Sequence, residues 1–168
     1  MDQQLGLRKT EDIMLTIGDK IPEINVIIDG DEPFKFPNRG GKNLVLYFYP
    51  KDDTPGCTKE AINFSEQAAA FETENTIIFG VSRDSVTKHE RFICKHDLKI
   101  HLISDEDGTL CDSFDTWVEK KMYGKSYMGI ERATYLISFD GVVTKIWRKV
   151  KVNGHVEEVL KAIKGLNK

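Results

Sequence analysis

Within eight consecutive positions, Pro50-Lys-Asp-Asp-Thr54-Pro-Gly-Cys57, this chain places a proline, a hydroxyl and a thiol in an order that can support thiol chemistry. The apolar run 44–49 reads as a strand that ends at Pro50. Thr54 suits a helix N-cap and Pro55 the first helical position, so a helix is expected to begin here. Cys57 would then lie in the first helical turn. There, unpaired backbone N–H groups and the positive end of the helix dipole favour an anion. A free cysteine titrates near ~8.5; a helix start and nearby cations lower that value, and the thiolate is the nucleophile. The same position also suits a small buried apolar residue. Cys57 taken alone leaves both readings open.

The elements around it form a consistent frame. Strands are expected at 23–28, 43–49, 76–82, 133–139 and 142–149, and helices at 57–71, 85–96, 107–114 and 154–163. Ala61, Phe64, Ala68 and Phe71 repeat at helical spacing, as do Val156, Val159, Leu160 and Ile163. Asp140-Gly141 is a two-residue hairpin signal between the last two strands. Strand, helix, strand, helix, hairpin and final helix make an α/β chain in the thioredoxin-like order, a mixed central sheet flanked by helices. The continuously apolar 44–49 fits a central strand covered on both faces. Ligands of such sheets bind beyond the carboxyl ends of the strands, where the 50–56 loop lies.

Composition narrows the function. The chain has 168 residues, enough for one domain with a proper core, and a net charge of −3. Neither a nucleic acid nor an anionic membrane is an expected partner. The basic run 145–151 is interleaved with Ile146, Trp147 and Val150 and reads as the solvated face of a strand. Three cysteines without a Cys-x-x-Cys pair do not make a secreted disulfide framework and fit a reducing, cytoplasmic compartment. No stretch approaches the ~20 apolar residues of a membrane span. Residues 1–14 are mostly polar, with acidic residues at Asp2, Glu11 and Asp12. They read as a short extension before a single domain over 15–168, not as a signal or transit peptide. His89 and His96 share a helical face with Phe92 and Ile93, a half-buried structural pair without zinc spacing. No phosphate loop or dinucleotide fingerprint occurs, so neither a metal nor a cofactor is expected.

The 50–57 segment resembles the peroxiredoxin signature of a proline, a threonine and a peroxidatic cysteine. Asp52 through Ala61, which reads Asp-Asp-Thr-Pro-Gly-Cys-Thr-Lys-Glu-Ala, is similar to the bacterioferritin-comigratory, or Q-type, branch. So are Leu15-Thr-Ile-Gly-Asp-Lys, Leu102-Ile-Ser-Asp-Glu-Asp107, Met122-Tyr-Gly-Lys-Ser-Tyr-Met-Gly-Ile130 and Arg132-Ala-Thr-Tyr-Leu-Ile137. Together they cover roughly 15–165. The resemblance implies a thiol peroxidase acting on hydrogen peroxide and organic hydroperoxides, recycled by thioredoxin or a glutaredoxin-like donor, and a monomer or weak dimer. It implies Cys57 as nucleophile, Thr54 as peroxide-orienting hydroxyl, Arg132 as fixed positive charge and Pro50 as shield. Without the resemblance, Arg132 would read as a surface residue at a strand start. Trp117, Lys120 and Tyr123 would lie in a loop near the site without catalytic work.

One departure from the branch matters. A resolving cysteine often lies five residues after the nucleophile, and here that position is Ile62. Cys94, in the next helix, is about one residue off the other common position, roughly 100° around the helix. Cys111 reads as a packed residue of a short helix. Resolution by Cys94, by Cys111 or by an external thiol all stay open. Two other functions share these features. A disulfide oxidoreductase usually needs a second cysteine where Glu60 stands. A redox sensor or holdase would use the same thiol without consuming peroxide.

Overall fold

Every residue of strand β3 (Asn43–Phe48) is buried, because the sheet is covered on both sides. Side chains alternate across a strand. Leu44, Leu46 and Phe48 therefore enter one core with Ile103, Cys111, Phe114 and Tyr135. Val45, Tyr47 and Tyr49 enter the other with Cys57, Phe64, Phe92 and Val159. The computed structural model describes residues 15–36 and 41–167. The extension assigned to residues 1–14 lies outside the described residues.

The strands are β1 (Ile24–Ile28), β2 (Glu32–Phe36), β3, β4 (Thr76–Ser82), β5 (His101–Ser104), β6 (Trp117–Met122), β7 (Lys125–Ile130), β8 (Ala133–Ile137) and β9 (Val143–Trp147). The helices are α1 (Pro55–Glu66), α2 (Ala68–Thr73), α3 (Val86–His96), α4 (Thr109–Ser113) and α5 (His155–Leu166). Seven strands form one sheet in the order β2-β1-β5-β4-β3-β8-β9, and β6 pairs with β7 in a separate ribbon. β3 is parallel to β4 and antiparallel to β8, so the sheet is mixed. This is the thioredoxin-like arrangement the element order implied.

Local details differ from the sequence reading for identifiable reasons. The long first helix is two helices that break at Gln67. The last hairpin closes through Phe139, Asp140 and Gly141: Ser138 N–H bonds Val142 O at 2.9 Å and Gly141 takes φ 84°. That is a three-residue loop with the glycine in the left-handed region, not a two-residue turn. Strands β2, β5, β6 and β7 were not anticipated. β5 is four residues long, and β6 and β7 are largely polar and exposed, so neither carries a strong apolar period. The basic run 145–151 is not wholly a solvated face. Arg148 turns inward, donating to Glu131 Oε2 at 2.8 Å, Tyr135 Oη at 2.8 Å and the Asp115 carbonyl at 2.6 Å.

Candidate active site

The end of β3 delivers the chain into the 50–54 loop, and α1 begins at Pro55. Cys57 is the third helical residue, only 2% exposed. Thr54 occupies the N-cap with extended backbone (φ −100°, ψ 156°) and Pro55 follows as anticipated, but the Thr54 side chain does not cap. Its hydroxyl instead donates to the Lys51 carbonyl at 2.8 Å, closing the loop on itself. Among the described residues no side chain caps the first-turn N–H groups, which suits an anion at Cys57. Pro50 is half-buried at the strand end.

Arg132 lies between β7 and β8, with its side chain 18% exposed. It is no surface arginine. Nη2 donates to Cys57 Sγ at 3.4 Å and Nη1 to Glu60 Oε1 at 2.7 Å. A Cβ on Gly56 would stand 3.3 Å from Arg132 Nη2, so the absence of a side chain there lets the guanidinium lie against the first turn.

Glu60 is the site residue that the sequence reading passed over except as a position lacking a thiol. Residues 57, 60, 61 and 64 fall on the buried face of α1. A carboxyl on that apolar face, one turn beyond a cysteine, was the available signal. Glu60 is fully buried, and its Oε2 has no hydrogen-bond partner among the described residues. Burial pushes its pKa up from 4.5 to about 7, against the opposing pull of Arg132. The same burial, with Glu60 and Cys57 nearby, holds Tyr47 well above its ordinary value.

The sign of the Glu60 effect follows from linkage. Its folded pKa is raised, so folding binds a proton between about 4.5 and about 7. The stability it contributes is fully present below 4.5 and is lost as pH rises through about 7. Glu60→Gln should therefore gain on the wild type across that interval, by on the order of 3 kcal/mol between pH 4 and pH 8. Urea unfolding of both proteins at several pH values measures this. A stability difference independent of pH would mean Glu60 does not titrate there.

The other candidate residues separate sharply. Trp117 and Lys120 lie on strand β6, not in a loop, and Tyr123 lies in the two-residue turn that joins β6 to β7. Trp117 is capped by the Arg83 guanidinium 4.6 Å above its ring, and Tyr123 is 96% exposed at the ribbon tip. Lys120 alone senses the site: burial and then the charge of Arg132 lower its pKa, while Cys57 raises it. Cys94 is exposed on α3, whose buried residues are His89 and Phe92. At 100° per residue it lies about 200° around the helix from Phe92. Cys111 is fully buried in the core on the opposite side of the sheet from Cys57. Burial first, and then Asp105, push its pKa far up.

The histidines are spoken for. His89 is fully buried rather than half-buried, at 2.7 Å from Asp52, and His96 pairs with Asp53 at 3.0 Å. His101 meets Asp29 at 3.2 Å and His155 meets Thr134 at 2.7 Å. Among the described residues, Asp52, Asp84 and His89 each offer a ligand atom, and these atoms lie within 4.8 Å of one another, a spacing that a metal could bridge. Their polar atoms are already engaged with one another, with Tyr49 and Ser82, and with the Ile103 carbonyl.

Residues 17–146 match the AhpC/TSA family model. The chain is 46% identical over 153 residues to peroxiredoxin Bcp of Bacillus subtilis, covering 91% of this chain and 98% of that protein. It belongs to the AhpC/TSA family, in the peroxiredoxin Bcp branch. Peroxiredoxin Bcp of Xanthomonas campestris is 51% identical over 124 residues, covering 74% of this chain and 78% of that one. Among solved structures, Xylella fastidiosa PrxQ superposes with a TM-score of 0.88 at 39% identity, covering 93% and 99% of the two chains. The Xanthomonas campestris bacterioferritin comigratory protein, solved in trapped intermediate and ligand complexes bearing on its alkyl peroxide reduction, gives 0.83 at 41% identity over 89% and 100%. A peroxiredoxin of this branch is a thiol-dependent peroxidase, and peroxide is its substrate. No described helix is long and apolar enough to cross a membrane.

Proposed function

We propose that Cys57 is the peroxidatic nucleophile and Arg132 its electrostatic partner. The observation that carries this is the single guanidinium that donates to Cys57 Sγ and is anchored behind by buried Glu60. The thiolate attacks one peroxide oxygen and the O–O bond breaks. The other oxygen leaves as hydroxide or alkoxide and takes a proton, and sulfur is left as a sulfenic acid. Arg132 favours the thiolate and the negative charge that develops on the leaving oxygen. Thr54, with its hydroxyl at the mouth of the first turn, orients the peroxide when it exchanges Lys51 O for substrate. Pro50 limits access of water. Alkyl hydroperoxides join hydrogen peroxide as substrates, in line with the reduction described for the Xanthomonas relative.

The positions of the other thiols support one route for resolution. Cys111 has the sheet between it and Cys57. Cys94 shares the Cys57 side of the sheet through α3, whose Phe92 packs in the same core. The Cys57 sulfenic acid condenses with the Cys94 thiol, releasing water, and a thioredoxin or glutaredoxin-like dithiol then reduces the bridge. Cys94 points outward, so α3 and the first turn of α1 must unwind locally before the two Cα atoms come within the ~7 Å a disulfide allows.

Non-reducing peptide mapping after one equivalent of hydrogen peroxide tests the route. A Cys57–Cys94 linked peptide is expected, with Cys111 still reduced. A persistent Cys57 sulfenic acid with Cys94 freely alkylated would replace this route with an external thiol.

A further inference from the structure

We propose that Asp52 and His89 are positioning residues for Cys57, a buried hydrogen-bonded pair that latches the peroxidatic loop, and with it the first turn of α1, onto α3. Asp52 sits two residues before Thr54 and is 8% exposed, and His89 is fully buried. The Ile103 carbonyl, 3.0 Å from His89 Nε2, can only accept, so Nε2 carries a proton. Nδ1 lies 2.7 Å from Asp52 Oδ2, and the other carboxylate oxygen accepts from Tyr49 Oη at 2.5 Å. Both ring nitrogens of His89 and both carboxyl oxygens of Asp52 are thus engaged in hydrogen bonds.

The geometry makes this a clamp and not only a satisfied pair. Asp52 N–H donates to Asp84 Oδ2 at 2.8 Å, and Asp84 Oδ2 also accepts from Ser82 Oγ at 2.7 Å. One loop residue is therefore held at its backbone and at both carboxylate oxygens, by the ends of β3 and β4 and by α3. His89 carries the connection on to β5. The next residue, Asp53, adds exposed contacts to Lys95 at 2.8 Å and His96 at 3.0 Å on the same helix. Among the described residues, the loop that presents Thr54 and Cys57 has few other hydrogen bonds to the body of the protein: its internal Thr54–Lys51 bond fixes only its own shape.

The pair therefore acts in two directions. It keeps Cys57 in the position where Arg132 meets it, which favours attack on peroxide. It also opposes the separation of α3 from the loop that the Cys57–Cys94 bridge requires, a consequence that rests on the resolving role proposed for Cys94.

The test uses the full-length protein and hydrogen peroxide. Three variants are compared with the wild type: His89→Leu, the double variant Asp52→Leu/His89→Leu, and Asp52→Asn. The double variant leaves no orphaned charge and so remains foldable if His89→Leu does not. Asp52→Asn keeps the hydrogen bonds, because the amide oxygen still accepts from Tyr49 and its N–H₂ donates to a neutral His89. The single-turnover rate of Cys57 oxidation should fall about tenfold or more in the two leucine variants, and stay within about threefold of wild type in Asp52→Asn. Amide exchange at 56–60 should rise about tenfold in the leucine variants while exchange in β8 is unchanged. Wild-type oxidation and exchange in a folded leucine variant would overturn the proposal. So would exchange that rises equally in β8, which reports general destabilisation, or equal damage in Asp52→Asn. Where the wild type forms the Cys57–Cys94 bridge, the leucine variants should form it faster from the sulfenic acid. A wild type that forms no bridge defeats the resolving role alone, and the oxidation and exchange results still decide the latch.

Discussion

Cys57→Ser should abolish peroxide turnover while leaving the fold in place. In the proposed mechanism the Cys57 thiolate attacks the peroxide oxygen, and a serine hydroxyl is not ionised near neutral pH even beside Arg132. Loss of a covalent nucleophile costs orders of magnitude in rate. The site tolerates the exchange because serine is slightly smaller and its oxygen can still accept from Arg132 Nη2, which now reaches Sγ at 3.4 Å. Stability should change by no more than about 1 kcal/mol. Steady-state peroxide consumption with a thiol donor, together with a thermal unfolding curve, measures both halves. Residual activity above about a tenth of wild type would move the nucleophile elsewhere.

Arg132→Met should lower the rate of Cys57 oxidation by about a hundredfold, the scale on which a fixed charge or donor aimed at a developing anion contributes. Methionine fills much of the space without the charge. The substitution also removes the partner of Glu60, a fully buried carboxyl whose Oε1 accepts from Arg132 at 2.7 Å. Breaking a buried pair from one side costs about 3–5 kcal/mol, because the remaining charge is left without compensation. Glu60 escapes part of that cost by taking a proton. Its pKa is already raised to about 7 by burial, and loss of the opposing Arg132 raises it further. The destabilisation should therefore be large at pH 8 and shrink toward pH 5. Adding Glu60→Gln to Arg132→Met should restore stability at high pH and leave the oxidation rate low. Single-turnover oxidation and urea unfolding at the two pH values separate the catalytic role proposed for Arg132 from its structural one. A double variant that recovered rate as well as stability would mean that the arginine acts only by satisfying Glu60.

The sequence by itself determined the mixed sheet, the central strand and the place of the thiol. These rest on local patterns that the structure keeps. The run 44–49 is apolar throughout because both faces of β3 are covered. Thr54-Pro55 marks a helix start whatever lies around it, so Cys57 falls in the first turn. Short or polar strands were not legible, because β5 has four residues and the β6–β7 ribbon is largely exposed.

Tertiary structure decided the partners. Arg132 lies 75 positions from Cys57 in sequence, and only the return of β8 beside β3 brings its guanidinium to the sulfur. Glu60 was visible as a residue but not as a buried acid, since burial depends on the strands and helix packed over α1. His89 read as half of a half-buried pair with His96. In the fold it is fully buried and faces Asp52, 37 positions away. Spacing did not show that Cys94 and Cys111 lie on opposite sides of the sheet, because which side a residue occupies is a property of how the strands are ordered. Periodicity along a chain reports which face of an element is apolar. It does not report what that face meets, and the chemistry of this site depends on what meets Cys57.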